Sequence, residues 1–157
     1  MKIEELSIGD WVVAKLTKWD YDCPEETEPM RIRCIDNSDR KRAYADLEFG
    51  SGQYATSAHI EDLCPIPISA EALKQNGWRE DKTDPNFFAT DEVYIYNHEG
   101  VWRLRPKSTE LLIVVDVKHI HELQHALRLL GVEKEIILYG KRLFYLKLSN
   151  YDTRRIN

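Results

Sequence analysis

Between Leu63 and Ser69 the chain reads Leu-Cys-Pro-Ile-Pro-Ile-Ser, and Pro65 and Pro67 limit its possible folds more than any other feature. Each proline fixes its own φ, lacks a backbone N–H, and turns the preceding residue away from helical backbone. No helix can cross this join, which reads as a linker or a final edge strand. The chain of 157 residues is thereby divided into a unit over 1–67, a second over 68–150, and a basic tail over 151–157. That length supports one ordinary core or two small ones.

The first unit has the period of β structure. Asp10 to Trp19 is rich in Val and Trp, Met30 to Ile35 and Ala43 to Phe49 alternate apolar with polar residues, and Gln53 to Ala58 follows the Gly50-Ser51-Gly52 turn. Short strands joined by turns predict a small β-barrel or roll. Gly9-Asp10 makes a tight turn into the first strand, and Trp11 and Trp19 are expected in core and rim packing. Asp20, Asp22, Glu25, Glu26 and Glu28, interleaved with Pro24 and Pro29, read as a solvated loop. The turn-forming run Asp36-Asn37-Ser38-Asp39 places Arg40, Lys41 and Arg42 at a hairpin tip.

The second unit mixes both periods. Ser69 is the expected N-cap of a short helix from Ala70 to Asn76, stopped at Gly77 and held down by Trp78. Phe87 to Ala89, Val93 to Tyr96 and Val101 to Leu104 read as strands, the last two joined through Asn97-His98-Glu99-Gly100. Leu111 to Val115 is expected as a buried strand, with Asp116 capping a helix from Val117 to Leu130 that ends at Gly131. Ile136 to Tyr139 and Leu143 to Leu148 complete a closing hairpin through Gly140-Lys141. The predicted class is α+β, a β-roll followed by one main amphipathic helix packed on an antiparallel sheet.

That helix carries the one stretch that spells a reaction, His121-Glu122-Leu123-Gln124-His125. Two histidines four apart on a helix can share a zinc ion, and the intervening glutamate can act as general base on the bound water. Such a hydrolase would use Glu122 for catalysis and His121 and His125 for metal. The surroundings argue against it. Ile120, Leu123, Leu127 and Leu130 fall within an arc of about 80°, which must face the sheet and leaves the two histidines on the solvated side between Lys118 and Arg128. Neighbouring cations disfavour a dication. A metzincin extension would need glycine at Arg128 and histidine at Gly131, Glu133 and Glu135 are the only later glutamates, and His119 lies about 160° around the helix from His121. The pattern therefore reads as a polar helix face, with no cofactor expected and zinc as the alternative. His59 and His98 stand alone, and no phosphate-cradling glycine loop or nucleophile elbow is present.

A net charge of −5 excludes a chain-wide attraction to phosphate backbones but leaves room for a local patch. Arg31, Arg33, Arg40, Lys41 and Arg42 are the candidate partner contacts. A continuous basic stripe built from them would favour nucleic acid, and a bare apolar patch would favour protein. Cys23, Cys34 and Cys64 are odd in number and widely spaced, so reduced thiols are expected, Cys34 and Cys64 as core filling. The chain has neither a signal-peptide run nor an apolar stretch long enough for a membrane span, which predicts a cytoplasmic protein with no membrane partner.

Three blocks, Met1 to Val12, His59 to Trp78 and His119 to Gly131, together resemble a group of small proteins encoded in gut Bacteroidales genomes and their prophages or mobile elements. Asparagine is common in that group where His125 stands here, which implies that the second histidine is dispensable. The group has no established activity, so the resemblance implies a context and not a mechanism. A non-catalytic binding or accessory module is the function expected from these observations, with a zinc-dependent hydrolase as the alternative.

Overall fold

Alternation of buried and solvent-facing side chains builds two antiparallel sheets in a computed structural model that describes residues 1–15, 28–38, 42–108 and 113–138. Trp19, Cys23, most of the acidic stretch, Arg40, Lys41, the strand expected over Leu143 to Leu148 and the basic tail lie outside the described residues. The chain forms two compact units, Met1–Pro65 together with Ile137 and Leu138, and Ile66–Ile136.

In the first unit, β1 (Trp11–Ala14), β2 (Met30–Asp36), β3 (Tyr44–Glu48), β4 (Tyr54–His59) and β5 (Leu63–Pro65) form a sheet of order β4-β3-β2-β1-β5. All of its pairings are antiparallel. Val12, Ala14, Met30, Ile32, Ala45, Leu47 and Leu63 supply the core from alternate positions, each 0–1% exposed. A single 3₁₀ turn, Ile60–Asp62, carries the chain from β4 to β5, where Pro65 ends the edge strand opposite Val12. Proline is tolerated there because an edge position does not need its missing N–H. A register shift between Ile32 and Cys34 bends β2. Trp11 is 2% exposed, in agreement with packing.

The second unit opens with α1 (Ala70–Gln75), whose first turn is capped by the Ser69 hydroxyl accepting from the Ala72 N–H at 3.1 Å. Gly77 then adopts φ +75, the left-handed geometry that ends a helix. Next come β6 (Arg79–Glu80), β7 (Phe87–Ala89), β8 (Val93–His98), β9 (Val101–Pro106) and β10 (Val115–Val117), in sheet order β10-β9-β8-β7-β6. Glu99 and Gly100 form the two-residue turn between β8 and β9, with φ of 52 and 82. Positive φ at both positions matches the strand twist. Phe88, Val93, Ile95 and Leu104 are fully buried on one face of this sheet. The main helix α2 (Ile120–Leu129) buries Ile120, Leu123 and Leu127 to 1% exposure or less.

Four expectations need correction. Of the buried strand expected over Leu111 to Val115, Leu111 and Leu112 lie outside the described residues, Ile113 and Val114 are 43% and 48% exposed, and the strand is Val115–Val117. Asp116 therefore lies within β10, beside Arg103, and does not cap the helix. The helix starts at Ile120 instead of Val117, with His119 as its N-cap. Ile136 to Leu138 forms no strand. Cys34 also departs from the core role expected of it, being exposed on β2 past the register shift, whereas Cys64 is half-buried. No helix among the described residues is long and apolar enough to cross a membrane.

Candidate functional site

The start of α2 is fixed by long-range pairing. Ile66 and Ile68 run antiparallel to the segment entering the helix, the Ile68 N–H donating to Lys118 O at 3.1 Å and the Ile120 N–H to Ile66 O at 2.8 Å. Position 122 then lies on the first turn, three residues after the N-cap, where a carboxylate can fold back on the unsatisfied amides of a helix start. Glu122 does so. Its Oε2 accepts from the Lys118 N–H at 2.6 Å and the His119 N–H at 3.2 Å, and its Oε1 lies 3.0 Å from His119 Nδ1. Desolvation alone would raise this carboxyl, but the amide of Lys118, the ring and amide of His119, and the ring's charge together hold it below its ordinary value near 4.5. A general base must present a lone pair to water. Both oxygens of this carboxylate hold contacts at the helix N-terminus, while its side chain stays 39% exposed.

The histidines are placed differently from expectation. His121 is only 4% exposed, so it does not stand on the solvated side of the helix, and Gln124 is buried with it at 5%. His121 stacks with His119 at 5.7 Å between ring centroids and meets His125 edge-on at 6.1 Å. Zinc at His121 and His125 would need a third protein ligand. Among the described residues no group of three or more His, Cys, Asp or Glu is arranged to hold a metal ion.

Of the five candidate basic contacts, Arg40 and Lys41 lie outside the described residues. Arg31 and Arg33 are on β2, and exposed Arg42 precedes β3 at the other end of the hairpin. Carboxylates interrupt the stripe, with Glu48 opposite Arg31, Asp46 opposite Cys34, and Asp36 between Arg33 and the hairpin tip. This face forms a shallow concavity of about 560 Å³ lined by Cys34, Ile35, Asp36, Tyr44, Asp46 and Ser57. Its carboxylates have local partners, Asp46 accepting from the Ser57 hydroxyl at 2.6 Å and Asp36 from the Ser38 N–H at 2.8 Å. Hydrogen bonds from the Ser38 amide and hydroxyl keep the Asp36 carboxyl below the usual range, as a turn carboxylate requires. His59 packs its ring on Tyr44 at 4.1 Å, and His98 is exposed at the end of β8.

A surface not singled out from the sequence lies on the second sheet. Because side chains alternate, the face opposite Phe88, Ile95 and Leu104 presents Phe87, Tyr94, Tyr96, Arg103, Arg105 and Asp116. One row across the strands reads Phe87, Tyr96, Arg103, Asp116, and the next reads Ala89, Tyr94, Arg105. Phe87 and Tyr94 stack at 5.3 Å and 26°, and the Arg105 guanidinium lies 5.8 Å from the Tyr94 ring centre. Arg103 pairs with Asp116 at 3.4 Å, their side chains 38% and 61% exposed. At the β6 margin Arg79 meets Asp91 at 2.6 Å, also in the open. The sequence holds the signal, two tyrosines and two arginines at alternate positions of adjacent strands, but only the register unites them. No known protein family, curated protein or solved structure matches this chain.

Proposed function

We propose that this chain is a non-catalytic binding module, an accessory protein of a mobile element, whose contact surface is the face of the second sheet bearing Phe87, Tyr94, Tyr96, Arg103 and Arg105. The observation that carries the reading is the grouping of three half-buried aromatics and two arginines on one side of a sheet whose other side already forms a core. Aromatic and arginine side chains are the types enriched where binding energy concentrates. The first sheet, bent at the β2 bulge and turned by the 3₁₀ segment, we read as a partly open roll. Glu122 speaks against the hydrolase alternative, because its carboxylate is engaged in holding the helix start.

Two measurements test the proposal. Partners recovered from the native host by the intact chain should be lost with a Tyr94→Ala, Arg105→Glu double variant that keeps its fold; equal recovery would remove the surface from consideration. Metal analysis of protein purified without a histidine tag addresses the alternative. Stoichiometric zinc that disappears in His121→Ala would overturn the non-catalytic reading.

A further inference from the structure

We infer that the ligand of this sheet face is single-stranded nucleic acid, held by base stacking on Tyr96 and Tyr94 with phosphates steered by the flanking arginines. The inference rests on the proposed binding surface and names what it takes. Tyr94 and Tyr96 are two residues apart on β8, so their outward side chains stand about 6.7 Å apart along the strand. One extended nucleotide can bridge that interval. Tyr96 sits between Phe87 on β7 and Arg103 on β9. A base can lie on its ring beside the cross-strand neighbour Arg103. At Tyr94 the guanidinium of Arg105 is 5.8 Å from the ring centre, so a modest swing would admit a second base between cation and ring.

The arginines on the two margins are held in place by acidic partners, Arg103 by Asp116 and Arg79 by Asp91. These carboxylates, and the net charge of −5, limit the phosphate contribution. Stacking must therefore supply most of the affinity. A duplex keeps its bases paired and stacked, so it offers this face little; a single strand offers every base.

The test is fluorescence anisotropy of the full chain without a tag, titrated into labelled single-stranded RNA and DNA of about 12 nucleotides and into a duplex of the same sequence. Saturable binding to a single strand is expected, with the duplex bound more weakly. Tyr96→Ala should weaken binding by roughly five-fold or more, while Tyr96→Phe, which keeps the ring, stays near wild type. With three arginines and about 0.7 ions released per single-strand phosphate, the slope of log affinity against log salt should not exceed about 2. Absence of saturable binding to both single strands overturns the inference, as does Tyr96→Ala binding like wild type with its fold intact. If oligonucleotides fail while the Tyr94→Ala, Arg105→Glu variant still loses the host partner, the ligand class falls and the surface stands. If both fail, the surface falls too.

Discussion

Replacing Glu122 with alanine separates the two roles that a glutamate in this pattern can have. The substitution removes the acceptor of two backbone N–H groups, those of Lys118 and His119, and a charged contact with the His119 ring. Loss of a capping side chain costs about 1 kcal/mol, and loss of a negative charge from a helix N-terminus adds about 0.3–1 kcal/mol. The Glu122 side chain is 39% exposed, so solvent screens part of the charge term and water can reach the freed amides. The net expectation is a loss of about 1–2 kcal/mol at pH 7. For a chain of this size that lowers Tm by about 2–8 °C. Glu122→Gln, which keeps an acceptor and loses the charge, should fall between alanine and wild type.

The loss should depend on pH. The folded-state carboxyl of Glu122 is more acidic than the unfolded one, so the unfolded chain binds the proton more tightly. Its charge-dependent contribution is complete above the unfolded value near 4.5 and disappears as pH falls through the lower folded value. Thermal and urea unfolding of wild type and both variants at pH 7 and in mild acid measure this, with the gap between wild type and Glu122→Gln closing in acid. Amide hydrogen exchange at Lys118 and His119 gives a local readout, with protection falling in Glu122→Ala. A variant that unfolds like wild type at pH 7 and keeps both amides protected would refute the capping argument. A general base would give the opposite pattern, unchanged stability with lost hydrolysis.

Substitutions at four further positions check the fold from different sides. Leu123→Ala, at a side chain with no exposure, should cost about 2–5 kcal/mol in urea unfolding, whereas Leu129→Ala on the same helix, 85% exposed, should stay within about 0.5 kcal/mol. Ser69→Ala should lose about 1 kcal/mol by freeing the Ala72 amide, and Ser69→Asp should retain most of it. Glu99→Asn should raise Tm slightly, by relieving a side chain at φ 52 in favour of one suited to a two-residue hairpin turn; an unchanged or lower Tm would count against that turn geometry.

The sheets are legible in the sequence because a period of two, as in Val93 and Ile95 against Tyr94 and Tyr96, has only one structural solution, and the main helix because Ile120, Leu123, Leu127 and Leu130 recur at helical spacing. The start of that helix is not, since two rules compete there. Asp116 is the better cap by residue type, yet it is committed to β10, and the pairing of Ile66 and Ile68 with the segment before Ile120 sets the start at His119. That pairing joins residues some fifty positions apart, and local pattern carries no trace of it. The buried arc of the helix is misjudged for a related reason. Counting only Ile120, Leu123, Leu127 and Leu130 gives about 80°, but His121, Gln124 and Ala126 are buried as well, which widens the arc to about 220°. A helix enclosed on more than its apolar stripe buries polar residues that a wheel assigns to water.

The aromatic face depends on register in a stricter way. Tyr96 faces Arg103, and Tyr94 faces Arg105, only because the β8–β9 loop is two residues long, with His98 opposite Val101. A one-residue slip of β9 would send Arg103 and Arg105 to the side now occupied by Ile95 and Phe88, and bring Trp102 and Leu104 to the tyrosines. Burying two guanidiniums against that core is far costlier than any gain outside it, so the apolar alternation of Trp102 and Leu104 enforces the register that assembles the arginines. The composition of the proposed binding face is thus selected by the core behind it. Inserting one glycine between Glu99 and Gly100 poses the question directly. If the core governs, the strand pairing survives with a longer loop and oligonucleotide binding persists; if the turn governs, β9 shifts and both stability and binding are lost.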